Sequence, residues 1–234
     1  MNKSLLIIIL ISSMFVVQGC MPEVKNDSNV EEKAMTSADE QLFKAVEDSD
    51  TERIEQMIQA GANINAQDQS GRTATMIATY NNDLTSAKVL IEAGADVNIQ
   101  DDMKNTPFLY AGAEGYLDIL KLTIEAGADP AITNRYGGTA LIPASEHGYV
   151  DVVKELLTQT SVDVDHVNQL GWTALLEAII LNDGNARQQE TIQLLIDHGA
   201  DVNLTDWDGV SPLSHAKNKG FKEIEEILVG AGAR

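Results

Sequence analysis

Cysteine is almost missing from this chain. Cys20 is the single one in 234 residues, so no intrachain disulfide can form. Basic residues are scarce too: 16 Lys and Arg stand against 36 Asp and Glu, a formal charge of −20. That balance excludes nucleic acid as a partner, because phosphate binding draws on clustered cations that release counterions. It leaves two readings open, solubility alone or steering toward a basic surface on another protein. Long apolar runs are lacking as well. The run from Leu5 to Val17 falls short of the about 20 residues that a membrane-spanning helix needs.

That run has another use. Lys3 followed by Leu5 to Val17 has the order and length of a secretory signal. Directly after it, Val17-Gln18-Gly19-Cys20 resembles a bacterial lipobox, in which a signal peptidase cuts before Cys and the thiol receives a diacylglycerol. The resemblance implies a lipoprotein signal peptide over 1–19 and a lipidated amino terminus at Cys20. The alternative is an ordinary signal peptide with an incidental Cys beside it. Residues 20–37 are polar, with little periodic apolar spacing, and read as a flexible tether. A diacyl anchor holds where one chain is marginal, each buried CH₂ contributing about 0.8 kcal/mol. The expected location is the extracytoplasmic side of a bacterial envelope. In a Gram-negative cell, Met21 after the Cys implies the outer membrane facing the periplasm; in a Gram-positive cell it would be the outer face of the plasma membrane.

The rest of the chain repeats. Gly61-Ala62-Asn63-Ile64-Asn65 returns as Gly94-Ala95-Asp96-Val97-Asn98, as Gly127-Ala128-Asp129-Pro130 and as Gly199-Ala200-Asp201-Val202-Asn203. In phase with it, Thr73, Thr106, Thr139, Thr173 and Ser211 each open a short apolar segment, at steps of 33, 33, 34 and 38 residues. Two markers sharing one period signal a stacked-repeat architecture. Each Thr or Ser is placed to cap a helix, Pro107 and Pro212 sit where an amide hydrogen is unpaired anyway, and the later Gly ends a second helix. The openings Thr106-Pro107-Phe108-Leu109-Tyr110-Ala111 and Ser211-Pro212-Leu213-Ser214-His215-Ala216 resemble those of ankyrin repeats. The resemblance implies an all-α solenoid, a stack of antiparallel helix pairs with β-turn finger loops. Residues 38–234 would hold an amino-terminal cap, four repeats and a carboxy-terminal cap.

The fingers are expected at Asp68 to Arg72, Asp101 to Asn105 and Asn134 to Gly138, with helical stripes such as Leu117, Leu120 and Ile124. Thr160-Ser161-Val162-Asp163 replaces one Gly-containing turn, and five extra residues around Asn182-Asp183-Gly184-Asn185-Ala186 lengthen the fourth repeat. Those five are either a partner-contacting loop or a tolerated insertion. The family's Thr-Pro-Leu-His histidine is replaced by Met76, Leu109, Ile142, Leu176 and Ser214, which puts its inter-repeat hydrogen bonds in question.

Nothing in the chain combines a nucleophile with a base or places metal ligands at fixed spacing, so neither enzyme nor metal site is expected. His147, His166, His198 and His215 fall at different places in the repeat, and Asp206-Trp207-Asp208-Gly209 lacks the remaining positions of a calcium loop. What remains is a recognition surface. The resemblance implies a groove lined by finger tips and first helices, which in this chain carry Tyr136, Trp172 and Trp207 on fingers and Tyr80, Tyr110, Glu146, His147 and Glu177 on helices. The rings are either partner anchors or packing between neighbouring fingers. The expected function is a membrane-tethered, non-catalytic module that binds a protein partner, a basic one if the charge acts in binding, as a monomer and without cofactor. The alternative is an immunity or inhibitor protein that blocks a toxin or enzyme in the envelope.

Overall fold

Local chemistry sets each helix start. Thr73, Thr106, Thr173 and Ser211 stand in extended backbone, and each side-chain oxygen accepts the amide three residues on, at 3.2, 3.1, 3.2 and 3.2 Å. The computed structural model describes residues 36–234, and the signal peptide, Cys20 and most of the tether lie outside them. Twelve helices and no strand occur among the described residues. They run α1 (Ser37–Glu47), α2 (Thr51–Gln59), α3 (Ala74–Tyr80), α4 (Leu84–Glu92), α5 (Pro107–Glu114) and α6 (Leu117–Glu125). The second half holds α7 (Leu141–Glu146), α8 (Val150–Gln159), α9 (Ala174–Ile180), α10 (Ala186–Asp197), α11 (Pro212–Lys219) and α12 (Lys222–Gly230). None is long and apolar enough to cross a membrane.

Consecutive helices pair, and the pairs stack in two rows. Odd-numbered helices pack on odd-numbered neighbours and even on even. Each repeat therefore buries its apolar stripe only against the next one, the condition that makes a solenoid quasi-one-dimensional. Leu42, Val46, Ile54, Ala78 and Leu90 fill the amino-terminal end of the core, and a larger cluster runs from Phe108 to Leu228. In α6 the buried stripe centres on Ile119, Leu120 and Thr123, with Leu117 and Ile124 at its half-buried margins. The missing family histidine is replaced by packing, since Met76, Leu109, Ile142 and Leu176 are all buried.

Four local features add detail to the repeat, and one of them, at Thr139, departs from the expected cap. Thr36 opens α1 with a capping box, its hydroxyl accepting from Asp39 N while Asp39 Oδ2 accepts from Thr36 N at 2.8 Å, so the ordered cap starts before residue 38. Thr139 does not cap α7. Pro143 has no amide hydrogen for the Thr139 carbonyl, the first turn tightens to Ile142 N on Thr139 O, and the Thr139 hydroxyl is buried without a partner. Where other turns use a left-handed residue such as Gly94, φ 91°, α8 instead ends in extended Thr160. Its hydroxyl donates to Leu156 O at 2.6 Å and accepts from Val162 N at 3.2 Å, replacing the glycine turn. The extra residues before α10 are tied into the stack from both ends: Asn182 Nδ2 ahead of them and Gln188 Nε2 within α10 both donate to the Glu146 carbonyl, at 2.6 and 2.8 Å.

Candidate functional site

Five finger loops share one construction. In each, the first residue's amide donates to the fifth residue's carbonyl: Asp68 to Arg72, Asp101 to Asn105, Asn134 to Gly138, Asn168 to Trp172 and Asp206 to Val210, at 2.9, 2.9, 2.9, 3.0 and 3.1 Å. The first side chain turns inward and accepts the amides of residues three and five, as Asp101 Oδ1 does from Met103 and Asn105 at 2.9 Å each. The backbones of neighbouring fingers are bonded directly in two places, Asp102 N to Ser70 O at 3.1 Å and Gln169 N to Tyr136 O at 3.0 Å. Gln67 and Gln100 add side-chain bonds from one finger to the next, Nε2 of each reaching the carbonyls of Gln100 and Thr133 at 3.2 and 2.9 Å. The first Asp or Asn of each loop thus builds the scaffold on which the other finger residues are displayed.

That division decides which side chains face water. Trp207 is 73% exposed and Tyr136 55%, the latter with the Arg135 guanidinium 4.7 Å from its ring centroid. Trp172 is different. As a fifth finger residue it returns toward the helix cap and is half-buried, so only one of the two tryptophans stands fully in solvent. Two further apolar finger residues are exposed beside them: Met103 at 45%, and Leu170 at 55%, which is not among the expected finger residues. Their signal in the sequence is positional, since Met103, Tyr136 and Leu170 each occupy the third place in a finger.

The inner helices form the other wall. Tyr80 is half-buried, donates its hydroxyl to Asp101 Oδ2 and accepts from Asn105 Nδ2 at 3.0 Å, which locks α3 to the next finger. Burial, reinforced by the Asp101 bond, pushes its phenol up to about 12, so it stays protonated. Its ring meets Tyr110 edge-on with centroids 4.4 Å apart, and burial together with the Glu114 charge raises the Tyr110 phenol too. Ser70, Arg72, Tyr80, Asp101, Asp102 and Met103 line an open depression of about 350 Å³. Glu146 is half-buried, while His147 is exposed with its ring 5.3 Å from Tyr149.

Glu177 departs from its expected surface position. It is 5% exposed, and Asn168 Nδ2 donates to its Oε1 at 2.7 Å. Burial and the neighbouring Glu146 charge push its carboxyl up to about 7 against the single favourable bond from Asn168. The cause is its register: four residues after the cap, a side chain points at the base of its own finger. Asp206, in the supposed calcium-like segment, is likewise committed. Its Oδ1 accepts from Asp208 and Val210 amides at 3.0 and 2.8 Å, and its Oδ2 pairs with His215 Nε2 at 2.7 Å. No group of three or more metal-ligating side chains occurs among the described residues.

Comparison with known proteins gives the same architecture. Residues 42–134, 108–206 and 144–234 match the family described as ankyrin repeats. The ankyrin repeat protein YahD of Escherichia coli K12 is 52% identical over 80 residues, which are 34% of this chain and 40% of that protein. An ankyrin repeat protein of Rickettsia felis is 38% identical over 79 residues, 34% of this chain and 20% of its own length. The chain thus spans less than half the length of these curated relatives. Among solved structures, an ankyrin repeat domain from Acinetobacter baumannii has a TM-score of 0.81 at 50% identity, covering 82% of this chain and 98% of that one. A second ankyrin repeat protein has a TM-score of 0.80 at 39% identity, covering 83% and 98%.

Proposed function

Because this chain belongs to the ankyrin-repeat family, whose members are in general non-catalytic binding scaffolds, we propose that it is a membrane-tethered, extracytoplasmic module that captures a protein partner in its groove. The observation that carries the reading is the exposure of Tyr136 and Trp207 on fingers whose backbone is fixed by inward-turned Asn134 and Asp206. Large rings held at low conformational cost and able to lose water on contact are the usual anchors of an interface. Glu146 and His147 stand on the opposite wall, where charge acts on encounter rate more than on final affinity. The tether rests on Lys3, the apolar Leu5 to Val17 run and Val17-Gln18-Gly19-Cys20.

Purification of the full chain from solubilised membranes of its own host tests both halves. Mass spectrometry should find Cys20 as a lipidated amino terminus, and Cys20→Ser should release the protein; an unmodified Cys20 in a soluble fraction refutes the tether. A copurifying protein should be lost from Tyr136→Ala with Trp207→Ala, and its retention would contradict the groove. The charge of −20 favours one narrower reading, an immunity or inhibitor protein against a basic envelope toxin. Such a protein would bind far more tightly and be encoded beside its target.

A further inference from the structure

Three successive fingers carry a large apolar side chain at one register. Met103, Tyr136 and Leu170 are third residues, and the residue after each has left-handed backbone, with φ of 62° at Lys104, 72° at Gly137 and 82° at Gly171. Identical loops send these side chains out in one direction. Ser70 before the row and Asp208 after it are polar, so the row has ends. Trp207 extends it sideways, its ring lying across Gly171, where a Cβ would stand 2.5 Å away. Of the eight large apolar side chains exposed among the described residues, these four alone stand within fingers. At about 200 Å² per large side chain their exposed fractions amount to roughly 450 Å², the size of the largest apolar patch on a typical monomer, which is often functional.

Resting on the protein-binding reading above, we propose that this ridge receives an extended segment of a partner protein that presents a large apolar side chain at every third position, with Lys or Arg between them. The spacing argument comes from the stack. Packed helices lie about 8–10 Å apart, and a polyproline II segment advances about 9.3 Å per three-residue turn, so its residues i, i+3 and i+6 meet successive fingers. A β-strand repeats its face every about 6.7 Å and falls out of step. The charge argument comes from the facing wall. One side of a standard interface buries about 800 Å², so the segment must spread beyond the ridge. The wall it meets carries exposed Glu114 and half-buried Glu146, neither of which takes part in an ion pair, within a chain of charge −20. Arg135 does not oppose this: it is stacked on Tyr136 and its Nη1 lies 3.2 Å from Met103 Sδ, so it belongs to the ridge.

Titration calorimetry of the full chain in detergent tests the proposal with three synthetic peptides of equal length. The first repeats Leu-Lys-Pro, the second permutes the same residues so that leucines fall at two-residue spacing, and the third repeats Leu-Glu-Pro. The first should bind at least about tenfold more tightly than either other, and Leu170→Ser with Trp207→Ser should erase that preference while circular dichroism stays parental. If that pair unfolds the chain, Met103→Ser with Tyr136→Ser makes the same test. Equal binding of the permuted or the acidic peptide overturns the proposal. So does a shift in oligomeric state of the ridge variants by light scattering, which would make the ridge a self-contact. A copurified partner lost from Tyr136→Ala with Trp207→Ala, while the three peptides bind alike, would sink this proposal and leave the protein-binding reading standing.

Discussion

The fourth repeat and the terminal unit set the same two positions face to face and fill them with opposite chemistry. In the fourth repeat, Asn168 on the finger donates to Glu177 on α9 at 2.7 Å. In the terminal unit, Asp206 on the finger meets His215 on α11, also at 2.7 Å. Both helix residues lie four places after their capping Thr173 or Ser211. Where the acid sits decides its fate. On the finger, burial would raise the Asp206 carboxyl, but the Val210 and Asp208 amides and the His215 imidazole outweigh it and hold the group below its ordinary value. On the helix, Glu177 loses its water, faces the Glu146 charge and gains only one amide donor, so it rises to about 7. One geometry therefore yields a finger acid that stays charged and a buried helix acid that is half-neutral near physiological pH.

The largest effect that should separate the two units is their pH dependence. Glu177 binds its proton more tightly folded than unfolded, so its contribution is full below about 4.5, fades as pH rises and is gone above about 7. The difference should be roughly 3 kcal/mol. Denaturant unfolding of Glu177→Gln should lose that slope; an unchanged slope would place the titration elsewhere. Asp206 works in the other direction, stabilising above its ordinary 3.8 and losing that contribution as pH falls below it. Next in size is Gly171→Ala, at the contact between the two units. A methyl there would stand 2.5 Å from the Trp207 ring on a backbone of φ 82°, and the cost should be about 2–3 kcal/mol, with Trp207 fluorescence shifted. Asp206→Ala, which strips two amides and His215 of their acceptor, should cost about 2 kcal/mol. Asn168→Ala should cost more above about pH 7 than below about pH 5, because its amide holds the Glu177 carboxyl down and so supports the charged form.

The repeat, its period, the helix pairs and most caps were legible because Thr, Pro and Gly act locally, through their own dihedrals and hydrogen bonds. Pro143 shows where local reading ran out: it was visible, but its effect on Thr139 needs the tertiary turn that leaves the hydroxyl buried without a partner. Glu177 shows the same for the site. Its register was readable, yet its burial depends on the adjacent finger, which periodicity alone does not position. Trp172 and Trp207 look equivalent as finger residues, and only the fifth as against the second place in the loop separates them. Leu170 escaped notice because a lone Leu in a loop is ordinary, and it gains meaning only in line with Met103 and Tyr136.

That pair of tryptophans supplies the most direct test of the groove as a binding surface. With the copurified partner in hand, its dissociation constant for Trp207→Ala and for Trp172→Ala should be measured beside the unfolding free energy of each variant. The exposed ring should weaken the complex by about 2 kcal/mol and leave stability within about 0.5 kcal/mol, while the half-buried one should lower stability first. Parental affinity in Trp207→Ala would contradict a groove anchored on its fingers.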